Sequence, residues 1–196
     1  MFEKSITKEE IEKLPLIAFD GQIIEIENIS DTKNASKYLA KQNLLGFDTE
    51  TKPNFKKGGK NNVALLQLST EEYSFLFKLK KTGIPDSLAK ILSDENIIKV
   101  GVALKDDLTG LKKYSDFKQN GFVELQSYVK NFGIEDMGLK KLTAIILGYK
   151  ISKSQQVTNW ESDKLTSAQK TYAATDAWIC QKIFKKLNEN QESNSI

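Results

Sequence analysis

Asp48 and Glu50 sit one residue apart where the apolar run of LLGFDTETK, residues 44–52, comes to its end. In an extended strand, residues two apart project to the same side, so these carboxylates point together while Thr49 faces away. Carboxylates held side by side repel one another, and a cation bound between them relieves that repulsion. A second pair, Asp106 and Asp107 in KVGVALKDDLTGL, stands where a strand gives way to a helix. Acids there also interact well with the unpaired amides and the dipole of a helix N-terminus. In YAATDAW, Tyr172 and Asp176 are four residues apart and share one helix face. Aspartate suits a helix interior poorly, and its apolar neighbours predict burial, so Asp176 carries a cost that a bound ion would offset.

The rest of the composition narrows the chemistry. None of the 196 residues is a histidine, which removes histidine-based triads and histidine-ligated zinc. Cys180 is the single cysteine, so neither an intramolecular disulfide nor a thiolate cluster can form. Any metal must be held by oxygen, and a hard divalent ion such as Mg2+ or Mn2+ suits that donor set. All 29 basic residues are lysine, against 26 acids, for a net charge of +3. Lysine offers a mobile point charge in place of the planar fork of arginine, which argues against base reading by bidentate contacts and leaves phosphate binding open.

The elements that must position these residues follow from periodicity. A helical opening, TKEEIEKLPL, leads to the strand GQIIEIE and to a helix in DTKNASKYLAKQ, with Ser30 or Asp31 as its cap. Three strands follow, NLLGFD, NVALLQLST and YSFLFKL, the last two separated only by Glu71 and Glu72, which predicts an antiparallel meander. Helical patterns then alternate with the strand IIKVGV and end in the long TSAQKTYAATDAWICQKIFKKLNEN. The expected fold is one α/β domain, a mixed central sheet flanked by helices. Its lead-in is residues 1–43, the body is 44–188, and 189–196 form a frayed tail. No apolar stretch approaches a membrane span, and the N-terminus lacks the basic-then-apolar order of a signal peptide, so a cytoplasmic protein is expected.

Taken together, FDTET, VGVALKDDLTGL and YAATDA resemble the three motifs of the DEDDy 3′-5′ exonucleases, in the branch that holds ribonuclease D and the exonuclease domain of the Werner syndrome helicase. The likeness runs from about Leu44 to Lys185 and takes in VALLQLS, LKKLTAIILG and TNWESDKLTSAQKTYAATDA. It implies a ribonuclease H-like fold. It selects Asp107 over Asp106, because after the intervening triplet the motif wants an apolar residue, and Leu111 satisfies this where Gly110 does not. Tyr172, where a sister subclass has histidine, marks the tyrosine subclass. The catalytic set implied is Asp48, Glu50, Asp107, Tyr172 and Asp176, with two divalent cations. One would be held by Asp48, Glu50 and Asp176, the other by Asp48 with Asp107.

The resemblance further implies hydrolysis from the single-stranded 3′ end of DNA or RNA, releasing nucleoside 5′-monophosphates. Thr49 and Thr51 match positions that touch the terminal nucleotide in related enzymes. Lys56, Lys57 and Lys60, around two glycines in KPNFKKGGKNN, form a candidate wall for the phosphate backbone, with a solvated loop as the alternative. Asn159 belongs to the shared TNW segment, and its neighbour Trp160 either stacks on a base or anchors the segment to the core. Two other functions fit the same fold: a non-catalytic nucleic-acid-binding protein, and a hydrolase of very short oligonucleotides or small nucleotides. The latter draws on the expected lack of a helical accessory domain.

Overall fold

The structure is a computed structural model that describes residues 2–53 and 61–193, with side chains as far as residue 189. Lys56, Lys57 and Lys60 lie outside the described residues. The chain opens with α1 (Lys8–Lys13), whose cap Thr7 and third helical residue Glu10 satisfy each other's backbone amides in a capping box. Strand β1 (Gln22–Ile26) and helix α2 (Ile29–Leu39) follow. The cap of α2 is Asn28, two to three residues before the predicted Ser30 or Asp31. Its side chain accepts from the Asp31 amide, so Asp31 serves the first turn instead of preceding it.

Next come β2 (Leu44–Thr51), β3 (Val63–Ser69) and β4 (Tyr73–Lys78), the predicted meander. The short α3 (Leu79–Thr82) and the amphipathic α4 (Asp86–Ser93) lead to β5 (Ile98–Gly101) and α5 (Leu104–Leu111). Strand β6 (Phe122–Glu124), α6 (Leu125–Tyr128), a 3-10 turn at Val129–Phe132, α7 (Leu139–Leu147) and α8 (Ser167–Ser193) complete the order.

The six strands form one mixed sheet in the order β1-β4-β3-β2-β5-β6. The β2-β3 and β3-β4 pairs are antiparallel, and β1-β4, β2-β5 and β5-β6 are parallel. The predicted mixed sheet is thus present, and β1, from the lead-in, joins it as an edge strand.

Strand alternation gives the sheet two unlike faces. Leu45, Phe47, Leu66, Leu68, Phe75 and Phe77 belong to one large apolar cluster, shared with α2, α4 and α5. The opposite face carries Gly46, Asp48 and Glu50 on β2, in register with Ser69, Gln67 and Leu65 on β3. Helix α8 covers this second face: the Ser69 hydroxyl donates to the Ala174 carbonyl at 3.5 Å, and Lys170 pairs with Glu25 of β1 at 2.7 Å. The helix meets the sheet through Ala173, Ala174 and Ala177, all fully buried. Small side chains on the helix and glycine on the strand let the two backbones approach closely. A Cβ added at Gly46 would collide with the Ala177 carbonyl oxygen and lie 2.6 Å from its carbon.

Candidate active site

Close packing of α8 on β2 assembles the site. Asp48 and Glu50 point from β2 toward the helix, and Asp176, one residue before the Ala177 that overlies Gly46, points back. One carboxylate oxygen from each of Asp48, Glu50 and Asp176 lies within 4.8 Å of the others. Glu50 and Asp176 are each 8% exposed, and Asp176 Oδ1 has no hydrogen-bond partner among the described residues. An orphaned, buried carboxylate oxygen in a cluster of acids fits a divalent cation, which would replace the missing donors.

Asp107 enters from the other side of the strand end. β5 stops at Gly101, and Ala103 takes a left-handed conformation (φ 60°), an uncommon one for a residue with a side chain. Glu124 of β6 holds this corner, its carboxylate accepting the Ala103 amide at 3.0 Å and the Leu104 amide at 2.7 Å. The turn aims the first turn of α5 so that Thr49, on the face away from Asp48, donates to Asp107 Oδ1 at 2.5 Å. Asp106 is exposed. Of the two, Asp107 is the acid whose charge reaches Asp48 and Glu50, although it stands outside the three carboxylates that lie close enough to share one ion.

Electrostatics mark the site as built for positive charge. Burial first, and then the charges of Asp176, Glu50 and Asp107, push the Asp48 carboxyl well above the usual carboxylate range. Burial with Asp176 and Asp107 raises Glu50 to about 9. Burial lifts Asp176 to about 7 against the opposing effects of the Tyr172 hydroxyl and Lys153, and lifts Asp107 to about 6 against its bond from Thr49. Burial and the same acids raise the Tyr172 hydroxyl, keeping it protonated.

A pH dependence follows. Because the folded acids bind protons more tightly than the unfolded ones, their contribution to metal-free stability is complete below about pH 4 and is lost as pH rises through their folded values. A divalent ion competes with those protons. The rise in melting temperature on adding Mg2+ or Mn2+ is therefore expected to grow between about pH 6 and pH 9, as more of the cluster ionises. Scanning calorimetry with and without metal checks this; a rise of constant size across that range contradicts it.

The sequence matches the 3′-5′ exonuclease family over residues 23–192. The chain belongs to that family. Divalent-metal dependence is a property of the family, in keeping with the acid cluster found here. The bifunctional 3′-5′ exonuclease/ATP-dependent helicase WRN of Mus musculus is 32% identical over 94% of this chain and 14% of its own. A putative 3′-5′ exonuclease of Acanthamoeba polyphaga mimivirus is 31% identical, over 88% of this chain and 45% of its own. The chain thus spans less than half the length of these curated relatives. Among solved structures, the Nibbler exonuclease domain of Aedes aegypti superposes with a TM-score of 0.80 at 22% identity, covering 92% of this chain and 94% of that one. Escherichia coli RNase D does so with a TM-score of 0.76 at 23% identity, covering 90% and 46%. Both show the ribonuclease H-like exonuclease fold.

The remaining candidates divide. Thr51 is exposed just beyond an irregularity in the β2-β3 register, and Asn159 is exposed in the loop before α8. Trp160 is 1% exposed, so its ring has no free face for a base, and of the two readings the anchor holds. It lies against Tyr172 with ring centroids 5.9 Å apart and so backs that side chain. Thr49 is engaged by Asp107. Gly46 and Glu124 escaped the reading of the sequence. A lone glycine within a strand does signal close backbone approach, but nothing local marks Glu124.

Proposed function

We propose that this chain is a metal-dependent 3′-5′ exonuclease that hydrolyses phosphodiester bonds at the single-stranded 3′ end of DNA or RNA and releases nucleoside 5′-monophosphates. The observation that carries the reading is the convergence of Asp48, Glu50 and Asp176, from two distant segments, on one point. Asp48, Glu50 and Asp176 would hold one divalent cation, and Asp48 with Asp107 the other, Mg2+ and Mn2+ both suiting an all-oxygen donor set. When bound, the ions supply charge stabilisation at the phosphate and make water a better nucleophile.

The other side chains support this arrangement. Thr49 restrains Asp107 through its 2.5 Å hydrogen bond. Tyr172 stays protonated and cannot act as a base, so its hydroxyl orients the attacking water. Thr51, next to Glu50 in β2, and Asn159, next to the Trp160 that backs Tyr172, are both exposed and are the positions from which the terminal nucleotide would be touched.

The test is product analysis on 5′-labelled single-stranded DNA and RNA of one sequence, with Mg2+, Mn2+ or a chelator. A ladder that shortens from the 3′ end only with metal is expected, and the faster polymer names the substrate class. No cleavage of either polymer, with metal bound, contradicts the reading. Tyr172→Phe should lower kcat by about 10- to 100-fold, the scale of a misplaced reactant, while keeping metal affinity. Isothermal titration beside the rate assay checks that division; a matching loss of metal affinity would assign Tyr172 to the metal site instead.

A further inference from the structure

Gln67 lies in the middle of β3, is 0% exposed, and has no hydrogen-bond partner for either amide atom among the described residues. Its strand neighbours are Asp48 on β2 and Leu76 on β4. Residues directly opposite in an antiparallel pair share a face, with Cβ atoms about 5 Å apart. Gln67 and Asp48 therefore stand side by side under α8. The next residues along β3 on this face are spoken for: the Ser69 hydroxyl is shared between Ser74 at 2.8 Å and the Ala174 carbonyl, and Leu65 packs with Tyr172 and Ala173. Leu76, on the far side, offers no acceptor. The carboxylate of Asp48 is the ionisable group directly across from the amide.

A buried amide with both ends unsatisfied costs stability that an apolar side chain of the same size would not. We infer that Gln67 is a positioning residue for the metal site: its amide N–H, directly across the β2-β3 pair from Asp48, would donate to the Asp48 carboxylate when that carboxylate holds a cation, fixing its orientation. Outer hydrogen bonds of this kind orient metal ligands. The inference rests on the metal-dependent reading above, and deepens it by adding a donor outside the acidic set.

The test replaces the amide by apolar side chains of similar length, Gln67→Met and Gln67→Leu, and measures Mn2+ affinity by titration and the metal-free melting temperature by calorimetry. A positioning role predicts Mn2+ binding weakened about tenfold, the scale of losing an outer-shell partner, with a metal-free melting temperature equal to or above that of the unsubstituted protein. It also predicts a lower kcat at unchanged KM for a single-stranded oligonucleotide. Mn2+ affinity within twofold of the unsubstituted protein, in whichever variant folds, overturns the inference. So does a loss of affinity accompanied by a lower metal-free melting temperature in both variants, which would assign Gln67 to packing alone. If the unsubstituted protein itself neither binds Mn2+ nor shortens the oligonucleotide, the metal-dependent reading fails, and that outcome is distinct from a failure at Gln67.

Discussion

Asp48→Asn should lose activity by about 10²- to 10³-fold, the scale of losing one preorganised electrostatic contact at a reacting centre, and yet melt higher than the unsubstituted protein when both are metal-free. The two effects share one cause. Asp48 is the acid whose proton affinity is raised by burial and by all three of its acidic neighbours, so its charge opposes folding unless a cation is present. An amide of the same shape removes the repulsion and with it a ligand that both cation positions need. The gain should grow with pH, from little at about pH 4 to its largest at about pH 8 to 9, as more of the cluster ionises in the unsubstituted protein. Rates on a labelled oligonucleotide and calorimetry in chelator measure the two sides. A variant that keeps its rate, or melts lower without metal, would remove Asp48 from the centre of the cluster.

Gly46→Ala should be the most damaging single-methyl change in the sheet. The added Cβ meets the backbone of α8, the Ala177 carbonyl, which cannot rotate away as a side chain would. Overpacking in a core costs about 1–3 kcal/mol when neighbours can adjust; here the helix itself must lift, so a loss of about 3 kcal/mol or more is expected. Asp176 precedes Ala177, so whatever folds should also bind metal weakly. Urea unfolding and Mn2+ titration of the variant test this, and wild-type values for both would show that α8 can shift without disturbing the acids.

The acids were legible in the sequence because their placement contradicts local preference. Two carboxylates end an apolar strand, and an aspartate interrupts a helix that otherwise reads as buried, so each asks for a partner that the chain does not contain. The meander was legible from three apolar runs with short separations. Other features depend on contacts distant in sequence. Strand β6 is three half-buried residues paired with β5, too short to carry a period. The cap of α2 moved to Asn28 because Ser30, Asp31 and Asn28 are all good caps and only the path of the chain from β1 chooses among them. Trp160 leans toward an anchor in sequence, but a stacking platform stays open until its burial against Tyr172 decides it. Gln67 looked like an ordinary residue in VALLQLS, since its neighbour across the sheet is not visible from its own strand.

Helix α8 packs against every strand from β1 to β5 and carries both Tyr172 and Asp176. A chain caught partway through folding, with the meander formed but this helix undocked, has Asp48 and Glu50 in place and nothing opposite them. Such an intermediate would lack the third carboxylate and the water-orienting hydroxyl together. Docking of one helix thus completes the acid group and its tyrosine in a single event, so the site exists only where the sheet beneath it does.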